Sequence, residues 1–387
     1  MDTRITVSKR FQYAAYALIA IGAAVIAYGF ITQPERAWAN LLLNNYYFLS
    51  LAIGASFFLA IQHITQSGWS SMFKRVPEAM MSFVPYAGVI MLLLYFGMHS
   101  LYHWTHEEAL ATDALVQHKS PYLNIPFFFI RMVLFFMAWT VMTYLLRKAS
   151  LTEDEKGGFV YFEKSELLSK IHIFLLAVTF SFATFDWIMS IDVHWFSTIF
   201  SLRNFVSAFY HGSAVIVLIV ILLHQKGYFP KLNESHMLDF SRYIFMLCIV
   251  WGYFTFSQFM LIWYANIPEE TEYFAHRWHL GFKVIFYVNF AINWFLPFVL
   301  LLSQKINKNI SIVKALCIVL IAGQYIDLYE QIFPGVMNGP VFGIIEIGFF
   351  AGFAGLFALV VSRSLSKAAL IPRNHPYLEE SMHHHVH

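Results

Sequence analysis

Charge is what this sequence has least of. Asp, Glu, Lys and Arg together make 12% of its 387 residues, where soluble domains carry about 25%. A water-soluble globule is therefore excluded, because its surface would lack groups that water solvates. Cysteine is nearly absent as well. Cys248 and Cys317 are the two present, each inside an apolar run. With no Cys-x-x-Cys pair, an iron–sulfur cluster held by this chain alone is excluded. There is no phosphate-binding glycine loop, zinc motif or nucleophile elbow, and no basic stripe for nucleic acid. Long polar connections are missing too: the longest have about 20 residues, too few for an inserted aqueous domain.

What the chain has instead is 59% hydrophobic and 19% aromatic residues. That composition fits an all-α integral membrane protein. Apolar runs recur at 11–31, 44–66, 80–102, 124–146, 168–190, 203–224, 242–264, 280–303, 311–332 and 340–362, which predicts ten transmembrane helices in one polytopic domain. The first run follows Arg4, Lys9 and Arg10. At about 20 residues it exceeds the apolar part of a signal peptide and reads as the first helix of the mature protein. Pro85, Gly88, Pro297 and Gly323 fall inside runs, which a membrane helix tolerates when neighbouring helices satisfy the freed backbone groups.

Lys and Arg set the orientation. With the N-terminus inside, the outer segments hold only Arg36, Lys119, Arg203 and Arg277, while Arg131 and Lys283 fall within helices. The rest of the 25 basic residues lie on the inner side. Such a bias predicts both termini in the cytoplasm. The "HHHVH" at 383–387 is interrupted by valine and reads as a native tail.

A charge near the bilayer centre costs about 2.5–3.5 kcal/mol on insertion scales, so polar residues inside the runs are the functional candidates. They gather toward the outer ends. His99 and His103 are four apart at the end of the third helix, on one face. Arg131 lies in the fourth helix, Asp186 near the end of the fifth, His211 in the sixth, Gln258 in the seventh and Lys283 early in the eighth. The ninth helix carries Gln324, Asp327, Glu330 and Gln331 on one face, and the tenth carries Glu346. Only His63, His172 and His224 lie near inner ends, where snorkelling is expected; the inner half otherwise reads as nearly pure hydrocarbon. Asn289 and Asn293 are four apart and read as helix-to-helix glue. The 15 Met and 41 Phe are packing and lipid-facing material.

Two readings of the outer polar set stay open. One is a site for an amphipathic redox or proton-carrying ligand; the other is a set of ion pairs locking helices, Arg131 with Asp186 and Lys283 with Asp327 or Glu346. Haem is disfavoured because paired histidines on each of two helices are absent. A secondary transporter is disfavoured because no matched pair of interrupted helices occurs near the midplane. In the stretch 186–200, Asp186 is expected to end the fifth helix facing inward. Trp195, Phe196, Ile199 and Phe200 share a helical face, so a short helix along the interface is expected, with Asp192 in water.

Three stretches carry a likeness: "HKSPYLNIPFFFIR" (118–131), "FDWIMSIDVHWFSTIF" (185–200) and "FSQFMLIWYANIPEET" (256–271). Together they resemble the NrfD-like, polysulfide-reductase-type membrane subunits of bacterial alternative complex III, a quinol:cytochrome c oxidoreductase. The length is most like the shorter of the two such subunits, often labelled quinone-binding subunit 2. The resemblance implies two four-helix bundles, helices 2–5 (44–190) and helices 6–9 (203–332), with helices 1 and 10 outside them. It implies a multihaem cytochrome c, an iron–sulfur protein, the sister NrfD-like subunit and lipids as partners in a bacterial inner membrane. It also implies quinone or quinol as ligand, with no metal or covalent cofactor on this chain. Quinol oxidation releases protons and so needs bases near the outer surface. His99, His103, Arg131 and Asp186 form one expected group for this. His211, Lys283, Asp327 and Glu330 form another, and Glu346 is a further candidate. The alternative is a structural or proton-conducting subunit that binds no quinone.

Overall fold

The computed structural model describes residues 4–385, so the last two residues of the HHHVH tail lie outside the described residues. Ten helices are long and apolar enough to cross a membrane: α1 (Lys9–Thr32), α2 (Pro34–Ile64), α3 (Ser71–Leu101), α4 (Ile125–Lys156), α5 (Phe159–Ile191), α6 (Thr198–Gln225), α7 (Glu234–Ala265), α8 (Lys283–Leu301), α9 (Ile310–Gly335) and α10 (Ile344–Ser366). Among the described residues there is no strand, only an isolated bridge between Arg4 and Ala369. The expected number of spans is borne out, and the multi-pass membrane character with it.

The interior holds a large apolar core together with buried polar residues, and apolar faces of the spans also lie on the outside. Val133, Met137 and Val141 form an exposed stripe on α4, and Phe174, Val178 and Phe182 form another on α5. Each is spaced at i, i+4, i+8, one helical face turned to the surrounding solvent. Stripes of this kind fit a hydrocarbon surrounding, as the length and apolarity of the helices do.

Helices α2 and α6 pack against each other and are the most buried of the ten. Phe57 of α2 meets Phe205 and Phe209 of α6 edge-to-face, with ring centroids 4.6 and 4.7 Å apart. Helix α2 also contacts α3, α5, α9 and α10, while α4 packs on α3 and α5. On the other side α7 packs on α6 and α8, and α9 on α6 and α8. The terminal pair α1 and α10 joins through small residues: a side chain at Gly22 would overlap the backbone of Gly352. Close backbone approach of this kind is how membrane helices gain packing energy without a hydrophobic drive.

Helix α3 is broken into α and 3-10 pieces, with Pro77 and Pro85 inside it. Proline lacks the N–H for the helical ladder and its ring crowds the preceding turn. Two boundaries differ from the sequence expectation by ten residues: α2 begins at Pro34 rather than 44, and α4 ends at Lys156 rather than 146. Both extensions carry charged residues, and both are held by charge partners on other helices.

For α4 the partners make a buried ionic cluster at the end opposite Asp186. Lys74 Nζ lies 2.6 Å from Glu153 Oε2. Arg75 pairs with Asp154 and, at 2.5 Å, with Glu78. Glu78 also accepts from Arg147 at 3.2 Å and from the Ser150 hydroxyl at 2.5 Å. The segment after α10 closes over it: Arg373 N donates to Asp154 Oδ1 at 3.2 Å, and the Ser381 hydroxyl donates to Trp69 O at 2.7 Å. The expectation of an inner half of nearly pure hydrocarbon is overturned. So is snorkelling for His63 and His172, both buried, with ring nitrogens 3.0 Å from Ser169 Oγ and 2.9 Å from Ser56 Oγ.

Candidate functional site

Arg131 and Asp186 meet as expected. Asn124 caps α4 by accepting from Phe127 N at 3.0 Å, and Arg131 follows two turns later, facing the last α-helical turn of α5. Its Nε and Nη2 donate to the two Asp186 oxygens at 2.7 and 3.1 Å. The third arm donates to Tyr122 O at 3.0 Å. The guanidinium lies over the Tyr122 and Phe127 rings, 3.9 and 4.3 Å from their centroids. Asp186 is fully buried. A bidentate, stacked pair of this kind is closed: every arm has a partner, which suits a lock between helices better than a group that exchanges protons.

His99 and His103 do not join it. The last turn of α3 ends at Leu101, Tyr102 is extended, and His103 starts a separate 3-10 turn, so the two do not share a helical face. Both are exposed. His99 Nδ1 lies 3.0 Å from the Thr105 hydroxyl, and the His103 ring packs on His106.

Of the second expected group, His211, Asp327 and Glu330 lie in one buried cluster and Lys283 does not. Lys283 is exposed and lies over the Trp278 ring at 5.1 Å; it pairs with neither Asp327 nor Glu346. Arg203 takes the first of those places and Arg36 the second. Arg203 ion-pairs with fully buried Asp327 and donates from Nε to the Thr255 hydroxyl at 3.1 Å. Asn289 Nδ2 bridges Asp327 Oδ1 at 2.9 Å and Glu330 Oε2 at 3.2 Å. Asn293 Nδ2 in turn donates to Asn289 Oδ1 at 2.6 Å and to Gly323 O at 3.1 Å. Asn293 lies in a π-helical turn, Ala291–Phe295, a local widening that often marks functional positions in helices. A side chain at Gly323 would overlap the Asn293 amide, so the close approach of α8 and α9 requires glycine there.

His211 completes the cluster. Its Nδ1 lies 2.8 Å from Ser207 O and its Nε2 lies 2.9 Å from Asn293 Oδ1. Flipping the Asn293 amide would set its oxygen against Gly323 O and Asn289 Oδ1, two acceptors, so the neighbours fix its orientation. Ser207 O accepts from Nδ1 when that nitrogen carries a proton, and the Ser207 hydroxyl, 3.4 Å away, can donate to it when it does not, so the site accommodates the ring with one proton or two. Glu330, 4% exposed, pairs with no cation among the described residues. Two carboxylates, one guanidinium and one imidazole therefore share a buried space in which one proton decides the net charge. The amides of Asn289 and Asn293 connect Glu330 to His211.

The Ser207 hydroxyl extends the cluster to Gln324 Oε1 at 2.8 Å, and Gln324 Nε2 donates to Ser50 Oγ of α2 at 3.2 Å. Asn204 donates to Gln331 Oε1 at 2.9 Å. Arg203, Asn204, Ser207 and His211 form one polar face of α6, spaced at i, i+1, i+4 and i+8. That stripe was the signal for Arg203; counting it as a loop cation hid it.

Glu346 stands apart, in the first turn of α10. It accepts from Gly343 N at 2.7 Å, from Arg36 Nε at 2.7 Å and Nη2 at 2.5 Å, and from Asn40 Nδ2 at 3.0 Å. It is a helix cap and a clamp from α10 to α2.

The α5–α6 connection lies near the second cluster, to which Arg277 links it through Gln331 O at 3.4 Å. No helix forms over 195–200 as a unit: α6 starts at Thr198, Trp195 is buried and Phe196 is exposed. The amphipathic helix here is Pro268–His279 instead. Its Tyr273 stacks on Trp195 with centroids 3.9 Å apart. Arg277, 2% exposed, lies 3.4 Å over the Tyr273 ring and donates to Asp192 Oδ2 at 2.7 Å. Asp192 is therefore a partner of a buried cation and not a group in open water. Burial opposes the charge on Arg277, but Tyr273, Asp192 and Glu330 hold its pKa above the usual arginine range. Around these residues an open cavity of about 280 Å³ is lined by His103, His194, His276, Glu269 and Glu272 together with Asp192, Trp195, Tyr273 and Arg277.

No protein-family model and no curated protein matches the chain.

Proposed function

We propose that this chain is a membrane subunit, without redox centres of its own, of a quinol-oxidising respiratory complex, and that it handles protons near the outer face. The observation that carries this reading is the buried set Arg203–Asp327–Glu330–His211. Ionisable groups in a membrane interior are rare, and those with incomplete pairing serve proton or ion movement. Glu330 and His211 can hold one proton between them across the amides of Asn289 and Asn293. The likeness of 118–131, 185–200 and 256–271 to alternative complex III subunits supplies the context: a sister NrfD-like subunit, an iron–sulfur protein and a multihaem cytochrome c in a bacterial inner membrane. The packing of α2 with α3 and α5, and of α6 with α7 and α9, supports the two-bundle arrangement expected of that family.

The test is isolation of the chain from its native membrane in mild detergent. Haem and iron–sulfur subunits should accompany it, with quinol:cytochrome c reductase activity. Glu330→Gln keeps the shape and the Asn289 contact, so assembly should persist while turnover falls roughly tenfold or more, the usual size of a lost proton-transfer group. A chain that purifies alone without such activity would sink the reading.

A structural subunit without quinone is the second reading, and the closed pairs Arg131–Asp186 and Arg36–Glu346 favour it for the first bundle and the α2–α10 contact.

The cytoplasmic placing of both termini is part of the same proposal. It is supported by the fate of the outer cations: Arg36, Arg203 and Arg277 are all buried in ion pairs, which leaves that face with even less free positive charge. Thr112 and Glu155 are exposed at opposite ends. Cysteine placed at Thr112 should react with an impermeant reagent added to intact cells, and cysteine at Glu155 should not. The opposite pattern would invert the topology.

A further inference from the structure

We propose that Arg277, anchored by Asp192, is a removable plug between the cavity beside the Pro268–His279 helix and the buried carboxylates Glu330 and Asp327, and that Glu330 exchanges its proton with cavity water when the plug opens. The inference rests on the proton-handling reading above and adds the route and the residue that controls it.

Arg277 faces both compartments. On the cavity side, Nη2 donates to Asp192 Oδ2 at 2.7 Å, and Asp192 is partly open to water, its side chain 22% exposed. On the buried side the same nitrogen lies 3.4 Å from Gln331 O. Gln331 belongs to the inner cluster, since its Nε2 donates to Asp327 O at 3.1 Å. Gln331 follows Glu330 directly in α9, so the contact of Arg277 with Gln331 O places the guanidinium one residue along the backbone from that carboxylate. The stack of Arg277 on Tyr273 and Tyr273 on Trp195 forms the wall, and the guanidinium fills the gap in it.

The joint is held weakly for a buried arginine. Arg131 has a bidentate carboxylate, whereas Arg277 has one carboxylate contact and two backbone carbonyls, Tyr273 O at 3.0 Å and Gln331 O. Its Nε has no hydrogen-bond partner among the described residues. The helix that carries Arg277 is short and lies outside the membrane-crossing set. Swinging the side chain toward Glu269 and Glu272, which line the same cavity, gives the guanidinium new carboxylates and uncovers Glu330. A proton leaving the Glu330 carboxyl then passes to a cavity water, and the carboxylate left behind keeps its bond from Asn289.

Thiol accessibility tests the plug independently of any transport. Glu330→Cys should react slowly with a small charged methanethiosulfonate in the purified chain, the unsubstituted chain giving the background from Cys248 and Cys317. Adding Arg277→Gln, or the milder Asp192→Asn, should raise the rate roughly tenfold or more, the shift in open population that follows from losing about 1.4 kcal/mol of closing energy. An unchanged rate with both variants, each still folded by its melting curve, overturns the plug. Proton flux into vesicles tests the route. Arg277→Gln should make the reconstituted chain leaky, and Arg277→Gln with Glu330→Gln should be tight again. Faster labelling with no leak would leave the plug standing and overturn the proton-handling reading; a leak that survives Glu330→Gln would overturn Glu330 as the exchanging group.

Discussion

Replacing Arg203 by methionine should lower the unfolding free energy by about 3–5 kcal/mol, and replacing Asp327 by asparagine at the same time should recover most of that loss. Arg203 supplies the only ion-paired cation to Asp327 among the described residues, and Glu330 lies beside it without one. Removing the guanidinium leaves two carboxylates in a space from which water is largely excluded. The cost is the desolvation of an uncompensated charge, not the energy of the bond itself, which is why neutralising the partner helps. Heating the purified chain in detergent and following the folded fraction gives the comparison. If the single and double variants melt together, the pair is not the origin of the loss.

Asp186→Asn should cost about as much, about 3–5 kcal/mol, because it strips the bidentate acceptor from Arg131. The guanidinium retains only Tyr122 O and two ring faces. Asp192→Asn should cost less, about 1.5–3 kcal/mol, the range for a hydrogen bond to a charged group, because water reaches that carboxylate. The sequence placed Asp192 in water, where its substitution would cost little; its bond to Arg277 replaces that expectation. Turnover separates the roles: the Asp186 variant should be unstable but catalytically normal once assembled, as a lock requires. A stable Asp186 variant with lost turnover would move that residue to the proton path.

Most of the fold was legible because the bilayer imposes a coarse rule. A span must be long, apolar and hydrogen-bonded within itself, and ten segments satisfy that in the sequence. The Arg131–Asp186 pair was legible for a related reason: each is an isolated charge in an apolar run, and each needs the other. What escaped reading lies where tertiary partners extend a helix past its apolar stretch. Residues 34–43 and 147–156 look like connections because they carry Arg36, Asn40, Arg147, Glu153 and Asp154. Those side chains are buried or half-buried because Glu346, Lys74, Arg75 and Glu78 meet them from elsewhere in the chain. Lys283 failed in the opposite direction. It opens α8 at the rim, where a lysine needs only an aromatic ring and water. In the stretch 186–200 the division into two jobs survives, but the second half serves the Arg277 side of the cavity and not the lipid surface.

The contact between α1 and α10 has a consequence for how the protein is made. Its glycines close a gap between the first of the ten helices to leave the ribosome and the last. At about 5–20 residues per second, Gly352 is synthesised on the order of half a minute after Gly22. Through that interval α1 stands in the bilayer with its small-residue face uncovered, since a glycine stripe gives lipid chains little to pack against. The newborn protein is thus marked as unfinished until α10 arrives, and a nascent chain halted before Ile344 offers that bare face to whatever membrane helix lies nearby.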